Sequence, residues 1–364
     1  MLTNSKSLYI HIPFCEHICS YCDFTKLFYN EKFSKLYLDA LFEELDSYNI
    51  TKMKTIYLGG GTPTALNDEE FEKLLCKASS YLDNDTEFTC EANVENLTDS
   101  KLALMQRFGV NRLSIGVQSS HDKRLKSLGR CHSFSDAQKV VEKAKKHGFN
   151  SINVDLIYGY PGESIEELAE DLENILKLDV DHISIYSLTV SPGTIFYNNK
   201  VKEQNQDDSR KYYDFILKTL REHGYERYEI SNFARNGKYA KHNLIYWKDE
   251  EYYGVGLGAS GYLGNVRYTN TKSLDKYLAH EFVSEKEVVN KKTDLEYFLL
   301  TNLRLEKGFL RKDFKDRFGI DFVDKYKDQV LSLEKKSQII VTSDRIMLSD
   351  EGLMIMDSIL LNLL

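Results

Sequence analysis

The sequence predicts an α/β fold in which a parallel sheet carries helices on its outer side. Three observations predict it. Short apolar or alternating segments suited to strands recur at 8–12, 54–58, 86–92, 112–117, 152–157 and 182–188. Stretches with helical periodicity separate them, near 32–48, 68–82, 98–107, 135–147 and 164–176. Residues suited to ligand binding follow the strand segments, where ligands collect in such sheets. Strand–helix repetition at this spacing implies parallel neighbours with helices packed outside.

The first strand, Tyr9-Ile10-His11-Ile12, ends at Pro13 and runs into FCEHICSYCDF, residues 14–24. Three of the six cysteines, Cys15, Cys19 and Cys22, fall there with CxxxCxxC spacing. Three soft thiolates on one short loop match a [4Fe–4S] cluster with one iron left open for a small molecule. Zinc with His11 or His17 as the fourth ligand is the competing assignment. The second strand enters Gly59-Gly60-Gly61-Thr62-Pro63, whose glycines allow close backbone approach and expose N–H groups. It lacks the Lys-Ser/Thr of a nucleotide P-loop, and a simple tight turn is its plainer reading. Further along, Glu91 ends the third strand, Gln118 ends the fourth and Asp155 lies in the fifth, all polar groups aimed at the same end of the sheet. In the helix AQKVVEKAKKHG, Ala137, Val140, Val141 and Ala144 form the apolar stripe and Gly148 stops it.

Composition narrows the function. A net charge of −8 and the absence of a long basic block give nonspecific nucleic-acid binding little support. The apolar runs are too short to span a bilayer, and MLTNSKSLYIHI lacks a secretory apolar segment, so a cytoplasmic location is expected. In that compartment cysteines act as metal ligands or thiols rather than disulfides. Cys76 is expected to be buried in its amphipathic helix, and Cys90 and Cys131 to be non-ligands.

YIHIPFCEHICSYCDF (9–24) with GGGTP resembles the radical S-adenosylmethionine (SAM) superfamily. More narrowly, the chain resembles the oxygen-independent coproporphyrinogen dehydrogenase family and its heme-chaperone branch. The match continues in order through EAN (91–93), GVQS (116–119), LGR (128–130), VDLIYGYPGE (154–163) and SLTVSPGT (187–194). The resemblance implies a partial (β/α)6 barrel holding a [4Fe–4S] cluster on Cys15, Cys19 and Cys22. It implies SAM contacts from Tyr9, Gly60, Thr62, Glu91, Gln118, Arg130 and Asp155. The dehydrogenases carry a further Cys where this chain has Phe24, and Phe24 is typical of the heme-chaperone branch. KHNLIYW (241–247) contains the HNxxYW pattern of that branch and implies heme binding, with His242 as an axial ligand.

The expected organisation is a barrel over 1–205, an accessory α/β region over 206–293 and a small winged-helix-like domain over 294–364. GVGLGASGYLGN (254–265) is expected as a loop near the shared pocket. The function expected from the resemblance is a chaperone that binds heme and passes it to an acceptor protein, soluble or membrane-associated. The alternative is a radical SAM enzyme acting on a porphyrin-like substrate, and a third is a zinc-bearing adaptor with a nucleic-acid-binding C-terminal domain.

Overall fold

The structure is a computed structural model describing residues 5–364. Met1–Asn4, part of the stretch read for a secretory signal, lie outside it. The six expected strands are present: β1 Ser7–Ile12, β2 Met53–Gly60, β3 Leu82–Asn93, β4 Arg112–Gln118, β5 Ile152–Tyr158 and β6 His182–Ser187. They pair in chain order and in parallel. Between them run α1 Glu31–Ser47, α2 Asp68–Ser79, α3 Asp99–Arg107, α4 Phe134–Lys146 and α5 Ile165–Lys177.

Local chemistry fixes where these helices begin. The side chains of Asn30, Asn67 and Thr98 accept from backbone N–H groups of the first turns of α1, α2 and α3, and Ser133 and Ser164 form reciprocal capping boxes with Asp136 and Glu167. Gly148 takes φ +88° after α4, as a left-handed stop requires. The apolar face of each helix covers the outside of the sheet. In α4 it is the expected Ala137, Val140, Val141 and Ala144. In α2 it is Phe71, Leu74, Leu75 and Ala78, which turns Cys76 outward; that thiol is exposed, contrary to expectation.

The sheet does not stop at β6. After α6 Gln206–Glu222, the strands β7 Glu226–Glu229 and β8 Asn232–Ala234 form a hairpin whose second strand adds antiparallel to β6. A short helix, α7 Lys241–Trp247, follows, and β9 Tyr253–Val255 then adds in parallel to β1. The nine-stranded order is β9-β1-β2-β3-β4-β5-β6-β8-β7, an open barrel. Ile216, Leu220, Phe233, Val255 and Tyr277 belong to the same apolar cluster as the barrel strands and helices, so the accessory region shares the barrel's core.

Residues 298–363 contribute a second apolar cluster with Phe298, Phe309, Phe314 and Phe322 among its members. Helices at Lys291–Asn302, Arg311–Phe318 and Lys327–Lys335 precede the hairpin Ile339–Val341 and Arg345–Leu348, the winged-helix-like order expected. Buried Arg227 on β7 joins the two clusters by ion pairs to Glu306 and Asp350. No helix among the described residues is long and apolar enough to cross a membrane.

Candidate functional site

Alternation along the strands sends one set of side chains out to the helices and the other into the barrel. On β3, Phe88, Cys90 and Ala92 join the apolar core, leaving Glu87, Thr89 and Glu91 on the inner face. The inner faces surround a cavity of about 400 Å³ lined by Cys15, Cys19, Cys22, Gly60, Thr62, Glu91, Gln118, Arg130 and Asp155. The strand-end positions singled out from the sequence therefore meet in one place.

The cysteine loop supplies one wall. Cys15 is buried and its Sγ lies 3.8 Å from Thr62 Oγ1. Cys19 Sγ accepts from Arg130 Nη1 at 3.4 Å. Lys26 Nζ holds the loop by donating to the carbonyls of Cys22 and Phe24. Burial pushes the Cys15 thiol up to about 12 and raises that of Cys22, so iron binding there must displace protons. Cys15, Cys19 and Cys22 all line the cavity, and three soft thiols on one loop are the donor set of an iron–sulfur cluster. Of the two rival zinc ligands, His11 has both ring nitrogens engaged, Nδ1 with the Tyr9 hydroxyl at 3.0 Å and Nε2 with the Thr25 carbonyl at 2.8 Å, whereas His17 lines the cavity.

The opposite wall holds the acids. Glu91 Oε1 accepts from the Tyr57 hydroxyl at 2.7 Å and Oε2 from the Gly60 N–H at 3.1 Å. Burial pushes its carboxyl up to about 7 against these donors. Asp155 accepts from Asn153 at 2.8 Å and Ser114 at 3.4 Å, and burial raises it as well. Gly60 sits at φ +117°, where an added Cβ would come within 2.7 Å of the His11 ring. Gln118 takes φ +72° beside a register shift in the β4–β5 ladder, an irregularity that ends the strand and delivers the side chain to the cavity.

Two of the expected contacts have protein partners in this structure. Tyr9 turns its hydroxyl to His11 and packs its ring near Tyr57 and His242, and it is not among the cavity's lining residues. Arg130 reaches the cavity, but its donors go to Cys19, Asn93, Glu95 and the Gly116 carbonyl. Four such acceptors fix the guanidinium as a brace for Cys19.

The family model of the radical SAM superfamily matches residues 9–175, and that of the HemN C-terminal domain matches 289–355. Proteins named heme chaperone HemW are similar over nearly the whole chain. That of Lactococcus lactis is 38% identical, covering 97% of this chain and 95% of its own; that of Bacillus subtilis is 37% identical, covering 95% and 96%. The chain belongs to the HemW family. The solved structure of coproporphyrinogen III oxidase (HemN) from Escherichia coli superposes with a TM-score of 0.84 at 21% identity, over 98% of this chain and 89% of that one, and shares the fold.

The HemW-family chain places its HNxxYW helix below the cavity. The backbone N–H groups of Lys241 and His242 both donate to the Glu87 carboxylate at 3.0 Å, pinning α7 inside the barrel. His242 is buried, with Nδ1 2.8 Å from Thr55 Oγ1 and Nε2 2.8 Å from the Tyr246 hydroxyl. Burial lowers its pKa to about 3 and keeps the ring neutral. In this arrangement both nitrogens of the residue expected as an axial heme ligand are occupied inside the barrel. The next residue, Asn243, lines the cavity floor.

Phe24 stands at the cavity's edge and is 65% exposed. The glycine-rich loop after β9 packs behind the cysteine loop: a Cβ on Gly258 would meet Thr25 Oγ1 at 2.3 Å, and one on Gly256 would meet the His11 carbonyl at 2.5 Å. It lies near the cavity, as expected, without lining it. Sequence reasoning missed Arg112, Ser114, Asn153, Ser184 and Tyr186, which also line it. Their signal was present as alternation with apolar core residues on β4, β5 and β6.

Proposed function

We propose that this protein binds heme and transfers it to an acceptor protein, with a [4Fe–4S] cluster on Cys15, Cys19 and Cys22 and SAM in the adjoining cavity. The observation that carries the reading is the near-full-length similarity to proteins named heme chaperone. The site supports it. Phe24 presents an exposed aromatic face where the dehydrogenase pattern places a further cysteine, suited to a macrocycle rather than to another metal ligand. The acceptor is soluble or membrane-associated, the chaperone itself works in the cytoplasm, and nucleic acid is not its ligand.

The chain's residues divide the work. Three thiols hold the cluster, which when bound next to SAM can supply one electron to a sulfonium. Thr62 and Arg130 position Cys15 and Cys19. Glu91, Gln118 and Asp155 offer acceptors and an amide to the hydroxyl and ammonium groups of SAM. Gly60 keeps its N–H against Glu91 and so sets the carboxylate's direction. The test is anaerobic reconstitution followed by heme titration and transfer to a heme-free acceptor, with coproporphyrinogen supplied in parallel. Heme uptake and transfer without porphyrin decarboxylation is expected. SAM-dependent decarboxylation would establish the enzyme alternative instead.

A further inference from the structure

The cavity is lined by a buried guanidinium that feels the Glu91 and Asp155 carboxyls electrostatically but has no hydrogen-bonded partner among the described residues. Arg112 opens β4 and pairs in register with Thr89 on β3. Arg112 is 3% exposed and Thr89 is fully buried, yet Arg112 Nε and Thr89 Oγ1 have no hydrogen-bond partner among the described residues. No acidic side chain of the described chain forms an ion pair with Arg112. Burying a guanidinium without hydrogen bonds is costly, and native interiors avoid it unless something else completes the site.

The surroundings indicate what completes it. Arg112 lines the cavity, together with the neutral groups of Ser114, Asn153, Ser184 and Asn243. The nearest acids along the neighbouring strands already have neutral donors: Glu91 has Tyr57 and Gly60, and Asp155 has Asn153 and Ser114. Arg130, by contrast, is engaged with Cys19, Asn93, Glu95 and Gly116. A planar guanidinium at a cavity that also presents hydroxyl and amide side chains is suited to a planar, bidentate anion.

We infer that Arg112 binds a carboxylate group of the molecule that occupies the cavity. Two ligands of the proposed function carry one, SAM on its methionyl end and heme on its propionates, so the inference rests on that reading for its ligands. The guanidinium donates two parallel N–H bonds to the carboxylate.

The experiment uses the full-length, cluster-loaded protein and its Arg112→Gln and Arg112→Lys variants. Dissociation constants are measured for SAM against decarboxylated SAM, and for heme against heme dimethyl ester. Iron content and circular dichroism confirm that each variant is folded, and Arg112→Lys carries the test if Arg112→Gln is not. In Arg112→Gln, one acid-bearing ligand should bind at least tenfold more weakly, while its carboxylate-free counterpart changes less than twofold. Arg112→Lys should fall between. Discrimination in the SAM pair assigns the methionyl carboxylate; discrimination in the heme pair assigns a propionate. Equal effects on acid and acid-free ligands, or no effect on either, overturn the inference. A wild-type protein that takes up SAM but not heme defeats the chaperone reading and leaves the SAM pair to decide this one; uptake of neither defeats both.

Discussion

Arg130 donates to the Cys19 thiol at 3.4 Å, although the two lie 111 residues apart in the chain. The same guanidinium also ties Asn93 at the end of β3 to the Gly116 carbonyl in β4. The cysteine loop is therefore anchored to the far strands of the barrel, and its middle thiol is held from behind.

Replacing that brace should affect the cluster before it affects SAM. Arg130→Lys keeps the positive charge and loses the planar fork, so the cluster should assemble but decay in air roughly threefold faster or more. The SAM dissociation constant should move less than the decay rate. Following absorbance near the cluster band over time, alongside SAM binding before decay, separates the two. A large loss of SAM affinity with normal cluster lifetime would return Arg130 to the role of ligand contact.

Each of Cys15→Ala, Cys19→Ala and Cys22→Ala should abolish stable reconstitution, since three protein thiolates are the minimum that leaves one iron open. Cys76→Ala and Cys131→Ala, at exposed positions outside the loop, should retain the parent's iron and sulfide content. Normal iron and sulfide in all three loop variants would refute the cluster assignment.

Glu91 gives the site a pH dependence. Its folded-state pKa, about 7, lies above the ordinary glutamate value, with burial the first cause. A carboxyl raised by folding holds its proton longer in the native state. Its contribution to stability therefore falls as pH rises from the ordinary carboxylate range toward 7. Ligand binding runs the other way, because the ionised carboxylate is the better acceptor for hydroxyl donors. SAM affinity should increase between pH 6 and pH 8 by up to about tenfold, and Glu91→Gln should be weaker and flat across that range. Isothermal titration at three pH values checks this, and a pH-independent wild type would remove Glu91 from the binding site.

His242→Ala should act on the fold. It deletes two buried hydrogen bonds and leaves a void between Thr55, Tyr57 and Tyr246, a loss of about 2–4 kcal/mol by comparison with other buried deletions. Urea unfolding of the parent and variant measures it. The heme absorption spectrum of the folded variant should match the parent's; a shifted Soret band would show that the imidazole leaves Thr55 and Tyr246 to reach the iron.

Much of this was readable from the residues. The six strands were visible because each buries an uninterrupted or alternating apolar face, and the helices because α4 and α5 carry both a stripe and a capping box. The cysteine spacing is local, so no folding was needed to see it. Polar positions were harder. Arg112, Asn153 and Ser184 alternate with apolar residues as surface positions of a half-exposed strand would, and only closure of the sheet turns that face inward. Arg130 reaches Asn93, 37 positions away, and His242 reaches Thr55, 187 positions away, partners that no spacing within either motif reveals. Cys76 was misplaced by a single helical step, the difference between the covered and open sides of α2.

The helix pinned to Glu87 has a consequence for the loop opposite it. Lys241–Trp247 brings Asn243 to the cavity from within the barrel, while Cys19, Cys22 and the exposed Phe24 line it from the loop that follows β1. Asp23 alone separates Cys22 from Phe24 in the chain. Whatever rests on that ring would therefore be a neighbour of whatever the thiols hold.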